Sequence, residues 1–402
     1  MNNTLPEKYL IATIPHELGD VKIYENDKVK IAKSSWYNYI FNKITGQHVR
    51  WGKEIEDNPN FAPAPEILDM EISSICHGVP KVYNDPDIFS KTILEAADNG
   101  FYAPFHSNKF WKDPPSPCDF CYKSNNANGI NMNFETFKKI IHKMPKTLCQ
   151  VAYGIGDIDS NPDLWKILEY TRGIGIIPNI TVNGYHINDE NAEKLSKVLG
   201  ACAVSKYNPK DYCYNAVELL SQKYGMTQCN VHQMCSSETY DDCMELLHDA
   251  QSDPRLSKLN AMVFLLLKEK GRGANFHKIS FDKYKAMIDY ALEHKLRVGF
   301  DSCSANSFLR DHKDYKQMEI MVEPCESFGM FSSYISAEGI YYPCSFSEGE
   351  GDWKEGFNVL ECDDFIKDIW TSEKLIKWRN RIIEESADHL CRVCPIFDVE
   401  LN

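Results

Sequence analysis

The sequence predicts an α/β protein: a parallel, barrel-like sheet with a further segment at each end. Three observations predict it. From residue 66, short apolar or β-branched runs alternate with amphipathic stretches of helical period. Each intervening stretch is long enough for a right-handed βα crossover. The texture also changes on either side of this region, at the linker-like "EDNPNFAPAP" and after about residue 315.

Residues 1–64 are mixed, with strand-like alternation in "VKIYENDKVKIA" and aromatics in "SSWYNYIFNK", and form an N-terminal extension. The regular part, 65–312, has six predicted strands: "EILDMEISSI" (66–75), "LCQVAYG" (148–154), "IIPNITVNG" (176–184), "ACAVSKY" (201–207), "MTQCNVHQM" (226–234) and "AMVFLLLK" (261–268). "RVGFDSCS" (297–304) is a candidate seventh. Between them, "NFETFKKIIHKM", "NPDLWKILEYTR", "NDENAEKLSKVLG" and "SETYDDCMELLHDA" open with Asn or Ser and carry early acids, as helix N-termini favour. Residues 77–117 interrupt the pattern with a helix candidate "DPDIFSKTILEAADNG" and an aromatic loop 101–111 suited to a lid. The last unit, 313–402, starts with a hairpin in "EPCESFGMFSSYISAEGIYYPCSF" and ends at "CRVCP".

The chain has 402 residues, with 44 basic and 58 acidic side chains and a net charge of −14. That balance argues against a generic nucleic-acid or anionic-membrane binder. No apolar run reaches spanning length and the N-terminus has no signal-peptide pattern, so the expected location is the cytoplasm. Fifteen cysteines in such a chain point to metal or iron–sulfur ligation where clustered, and to buried packing where scattered.

Cys118 and Cys121, in "SPCDFCYKSNN", form a C-x-x-C that alone reads equally as a zinc knuckle or a redox pair. Cys76, at the carboxyl end of the first predicted strand, is the candidate third ligand, since a barrel presents its chemistry there. The set Cys76, Cys118 and Cys121, with Phe120 just before the last, resembles the three-cysteine signature of the radical S-adenosylmethionine (SAM) superfamily. That signature normally reads C-x-x-x-C-x-aromatic-C, and here its first gap is stretched. "YGIGDIDSNPDL" looks like the family's Gly-Gly-Glu motif, and "TVNG", with Asn183, is similar to its third-strand ending.

The resemblance implies a partial (β/α)6 TIM-like barrel over roughly 66–305. It implies a [4Fe–4S] cluster on three thiolates whose open iron binds SAM, cleaved reductively to a hydrogen-abstracting 5′-deoxyadenosyl radical. It further implies that Asp157 accepts from the SAM amino group, that Gly154 and Gly156 approach it closely, and that Ser205 and Asn230 hold its carboxylate and ribose. An electron donor such as flavodoxin or ferredoxin follows as a partner.

Cys325, Gly339 and Cys344 fall as C-x13-G-x4-C, and Cys391 and Cys394 close the chain as C-x-x-C. Four thiolates suit one auxiliary iron–sulfur cluster or one zinc ion. The arrangement resembles the SPASM or twitch extensions of radical SAM enzymes, with cysteines enough for the single-cluster twitch form, the cluster expected to be [4Fe–4S]. Cys303, at a predicted strand end, is read as a catalytic thiol returning hydrogen to a substrate radical, as a cluster ligand or as a buried thiol; Cys362 is a lesser ligand candidate. "KEKGRG" (268–273) reads as a solvated turn. The substrate suggested by this architecture is a peptide, with a small molecule or nucleotide as alternative. The contrasting class is a non-catalytic, metal-stabilised binding scaffold.

Overall fold

A computed structural model of the chain describes residues 5–80, 117–312, 322–387 and 391–401. The helix expected at 85–100 and the aromatic loop 101–111 lie outside the described residues.

The mixed N-terminal segment is an antiparallel meander of β1 (Leu10–Ile14), β2 (Val21–Glu25), β3 (Val29–Lys33), β4 (Asn38–Asn42) and β5 (His48–Trp51). Alternation along its central strands buries Ile23, Tyr39 and Phe41 on one face. That face docks on the barrel: the Tyr39 hydroxyl donates to the Thr147 carbonyl (2.9 Å) and Lys30 Nζ to that of Leu148 (2.6 Å).

All six predicted strands and the candidate seventh form: β6 (Ile67–Glu71), β7 (Gln150–Gly154), β8 (Ile177–Val182), β9 (Ala201–Ser205), β10 (Cys229–Cys235), β11 (Ala261–Leu266) and β12 (Val298–Phe300). They pair in parallel in sequence order. The crossovers carry α1 (Phe134–Lys143), α2 (Leu164–Gly173), α3 (Asp189–Val198), α4 (Asp211–Val217), α5 (Tyr240–Ser252) and α6 (Phe281–Glu293). Asn133 and Asn188 cap α1 and α3 through their side chains as the sequence suggests. Before α2, Asn161 instead donates to the carbonyls of Ile72 and Met132, and α5 starts after Thr239 without a side-chain cap.

Along β10 and β11, the helix-facing side chains (Val231, Gln233, Cys235, Met262, Phe264, Leu266) are buried, and those between them are only partly covered. The second face is the sheet's concave interior, where the sequence places small or polar side chains such as Ala203, Ser205 and His232.

The predicted hairpin is β13 (Ser332–Ile335) and β14 (Ile340–Tyr342), turning at Gly339 with φ +83°. It is not a separate sheet. β13 pairs in parallel with β6, and β14 passes the pairing to β15 (Phe357–Asn358), giving ten continuous strands. Helix α7 (Ala305–His312) precedes this part and α8 (Glu373–Glu385) packs in it.

His48 sits edge-on to Tyr39 and Phe41, and burial, with Arg50 beside it, pushes its pKa down to about 3. The folded protein therefore holds the ring neutral where the unfolded chain, at about 6.5, would protonate it. This contribution to stability is complete above about pH 6.5 and is lost as pH falls toward 3, by about 1.4 kcal/mol per unit. Thermal melts at pH 7.5, 6 and 5 are expected to show the loss, and a His48→Phe variant to show less of it. An equal pH dependence in both proteins would contradict this.

Candidate functional site

The stretch after β6 carries Cys76 and is knitted to the loop that carries the other two cysteines. Ser73 bridges Asn131, Ile75 bridges Asn126, and the Cys76 amide donates to the Asn126 carbonyl (3.0 Å). Cys118 and Cys121 sit in a turn held from the other side by the segment after β11. There the Arg272 amide donates to the Cys121 carbonyl (3.0 Å), and its guanidinium to the carbonyls of Cys118 (2.9 Å) and Asn125 (3.0 Å). Gly271, at φ +57°, lies so close that a Cβ would stand 2.4 Å from the Tyr122 carbonyl. The segment expected to be a solvated turn is thus the clamp on the cysteine loop. Nothing in its spacing marked it, because the bonds run through backbone carbonyls.

The three thiols share one environment. Cys118 hydrogen-bonds Cys121, and Cys76 acts electrostatically on Cys118 and on Tyr207. Burial, then the Asp157 carboxylate, raises the Cys76 thiol to about 11. Cys121 is shifted toward thiolate by Cys118, by the amides of Asn125 and Lys123, and by Arg272. Three half-buried thiols close together resist joint ionisation without a bound cation, and a metal centre supplies it. The residues present fit a cluster held by three cysteines. Among the described residues, no three His, Cys, Asp or Glu side chains close tightly enough to hold a single ion. Phe120 turns its ring toward Tyr207 (5.8 Å) and Phe276 (5.7 Å). Sequence reasoning missed Tyr207, a half-buried tyrosine hydrogen-bonded to Ser205 at the end of β9.

Gly156 and Asp157 act on Cys76. A Cβ on Gly156 would fall 2.6 Å from both the Cys76 Cβ and the Ile75 carbonyl, whereas one on Gly154 meets only ordinary contacts. Asp157 is buried and its acceptor positions are taken within the chain. Its Oδ2 accepts from the His77 amide (2.6 Å) and faces His77 Nδ1 (3.0 Å); its Oδ1 accepts from Gly78 N–H (3.3 Å) and Asn183 Nδ2 (2.8 Å). In this geometry Asp157 and Asn183 anchor the residues just after Cys76, where the sequence reading has Asp157 receiving an amino group.

The second cysteine group forms a cavity walled by Cys303, Cys325, Cys344 and Cys394, with Phe346 and Arg392. Cys303, read from the sequence as a catalytic thiol, a cluster ligand or a buried thiol, forms one wall of this cavity, because the turn after β12 faces the C-terminal part. Cys391 is not among the lining residues; its amide donates to Asn306 Oδ1 (2.8 Å). Cys362 is buried with its thiol on the Val359 carbonyl (3.2 Å), a packing residue. Cys149, Cys202, Cys213, Cys229, Cys235 and Cys243 are buried too.

The segments that carry the two groups touch. Tyr122, next to Cys121, packs on Phe346, two residues from Cys344, with ring centroids 4.3 Å apart. Lys123 reaches across to the Tyr334 hydroxyl (2.8 Å), to Glu348 and to Glu71 (3.3 Å).

Residues 325–395 match the family model for SPASM, an iron–sulfur cluster-binding domain. No curated protein matches the chain by sequence. Among solved structures, the chain is similar to Streptococcus suis SuiB bound to its precursor peptide SuiA, with TM-score 0.61, 13% identity, and 88% of this chain and 90% of that one covered. It is similar to SuiB bound to S-adenosylmethionine (TM-score 0.59, 13% identity, 87% and 88% covered) and to anSMEcpe with AdoMet and a Cp18Cys peptide (0.51, 14%, 78% and 82%). This chain shares the fold of these structures and matches the SPASM model near its C-terminal end.

Within this fold one residue expected to hold a cofactor is displaced. Asn230 stands at the amino end of β10, level with the first residue of β11, and its Oδ1 accepts from Asn260 Nδ2 (2.9 Å). The strand starts three residues later than the predicted run, so the asparagine lies near the strand's start, at the end of the sheet opposite Cys76, Cys118 and Cys121. His232 occupies the higher concave position beside Ser205, with burial pushing its pKa down to about 4. Among the described residues, no helix is long and apolar enough to cross a membrane.

Proposed function

We propose that this protein is a radical SAM enzyme acting on a peptide. The carrying observation is the convergence of Cys76, Cys118 and Cys121 at the carboxyl end of the sheet, beside a second thiol cavity. When bound, the cluster and SAM supply reductive cleavage of the sulfonium and the radical that takes a substrate hydrogen. The chain's own residues do the rest. Asp157 and Asn183 fix the backbone after Cys76, and Arg272 holds the Cys118–Cys121 turn and offsets thiolate charge. Tyr207 and Phe120 pack against each other beside the thiols. The concave face, with Ser205, Thr181 and His232, offers polar groups to SAM and substrate. A peptide substrate is favoured by whole-chain likeness to a protein solved with its precursor peptide; the electron would come from a small reductant such as flavodoxin or ferredoxin.

The test is anaerobic reconstitution with iron and sulfide, then dithionite and SAM. 5′-Deoxyadenosine is expected from the native chain and is expected to vanish in Cys118→Ala. A colourless, zinc-containing protein without SAM cleavage would overturn the reading in favour of a metal-stabilised scaffold.

A further inference from the structure

Five cysteines stand near the second cavity, and one cluster uses four. We propose that its ligands are Cys303, Cys325, Cys344 and Cys394, and that Cys391 is not one of them. The assignment rests on the iron–sulfur reading of this domain and adds a ligand from the barrel to it.

Two observations carry it. First, the four thiols named line a single cavity and Cys391 does not. Second, the backbone explains Cys391 without a metal. Asn306 accepts from its amide and donates to the Arg392 carbonyl (3.2 Å), and Arg392 Nη1 donates to the Cys325 carbonyl (2.7 Å). The C-x-x-C is therefore a splint in which Cys391 sets the turn and Cys394 presents the sulfur.

The setting suits a fully ligated cluster. Phe328, Phe346 and Ile396 give the cavity apolar walls, and a cluster with four thiolates is a net anion. Arg392 lies on the wall, as does Lys268, itself paired with Asp301. Binding releases the thiol protons, and Cys303 ties the end of β12 to the C-terminal domain through iron. A thiol bound in this way cannot act as a free hydrogen donor.

The test uses the full chain with Cys76, Cys118 and Cys121 replaced by alanine, so that only the second site loads. Cys303→Ser and Cys391→Ser are introduced separately, and iron content and the EPR spectrum of the reduced protein are measured. The parent is expected to hold about four irons per chain. Cys391→Ser should reproduce the parent's iron and spectrum. Cys303→Ser should change the spectrum, shift further on adding cyanide to its open iron, and drop to about three irons after mild oxidation. An unchanged Cys303→Ser spectrum, or an altered Cys391→Ser spectrum, would overturn the assignment. Should Cys303→Ser fail to fold, the Cys391→Ser spectrum decides alone. A parent without iron would instead overturn the iron–sulfur reading itself.

Discussion

Replacing Gly156 with alanine is expected to strip iron from the first cysteine site while the second stays loaded. The added methyl would stand 2.6 Å from the Cys76 Cβ and from the Ile75 carbonyl. Neither can give way cheaply. The Cys76 amide is bonded to Asn126, and the next two amides are bonded to Asp157. Overpacking of this kind costs about 1–3 kcal/mol, which a chain of this size can survive, but the displacement falls on a ligand. Iron per chain should drop by about half, and 5′-deoxyadenosine formation by about 100-fold or more. Gly173→Ala is the control, since a Cβ there meets nothing within 4 Å. Full iron content and native SAM cleavage in Gly156→Ala would refute this account.

The second large effect concerns stability. Arg50, on β5 of the N-terminal sheet, donates through Nη2 to Glu66 (2.6 Å) and Glu326 (2.8 Å), and its guanidinium lies 3.6 Å from the Phe331 ring centroid. Glu66 is fully buried just before β6, and Glu326 follows Cys325. One cation thus joins the N-terminal sheet, the barrel and the C-terminal domain. Arg50→Ala leaves the Glu66 carboxylate buried beside a second acid, a situation that costs about 3–5 kcal/mol. A large fall in melting temperature is expected, with Arg50→Lys recovering only part because a lysine cannot match the fork or the ring stacking. A melting temperature within a degree or so of the native one would show that the contact adds little.

The barrel was legible because each strand is a run of period two between helices of period 3.6, and a parallel sheet needs little else. The three cysteines proposed as ligands could be singled out because one follows the first barrel strand and the other two form a C-x-x-C. What escaped were relations that side-chain identity does not encode. Arg272 and Gly271 act on carbonyls. Tyr207 reads as an ordinary strand-end aromatic. Asn230 fell at the wrong end because the run "MTQCNVHQM" enters the sheet only at Cys229, and a three-residue error at an amino end moves a side chain the depth of the sheet. The spare Cys303 could not be assigned from spacing, since its companions lie beyond the next helix.

The parallel seam between Ser332–Ile335 and Ile67–Met70 has a practical consequence. A shortened chain ending before residue 322 would leave the first barrel strand as a raw border, its N–H and C=O groups open to any other extended peptide. Such a fragment is expected to clump rather than behave as a free-standing half. The two sulfur-rich sites are parts of one indivisible body, and the separation between them is set by hydrogen-bonded backbone instead of by a tether.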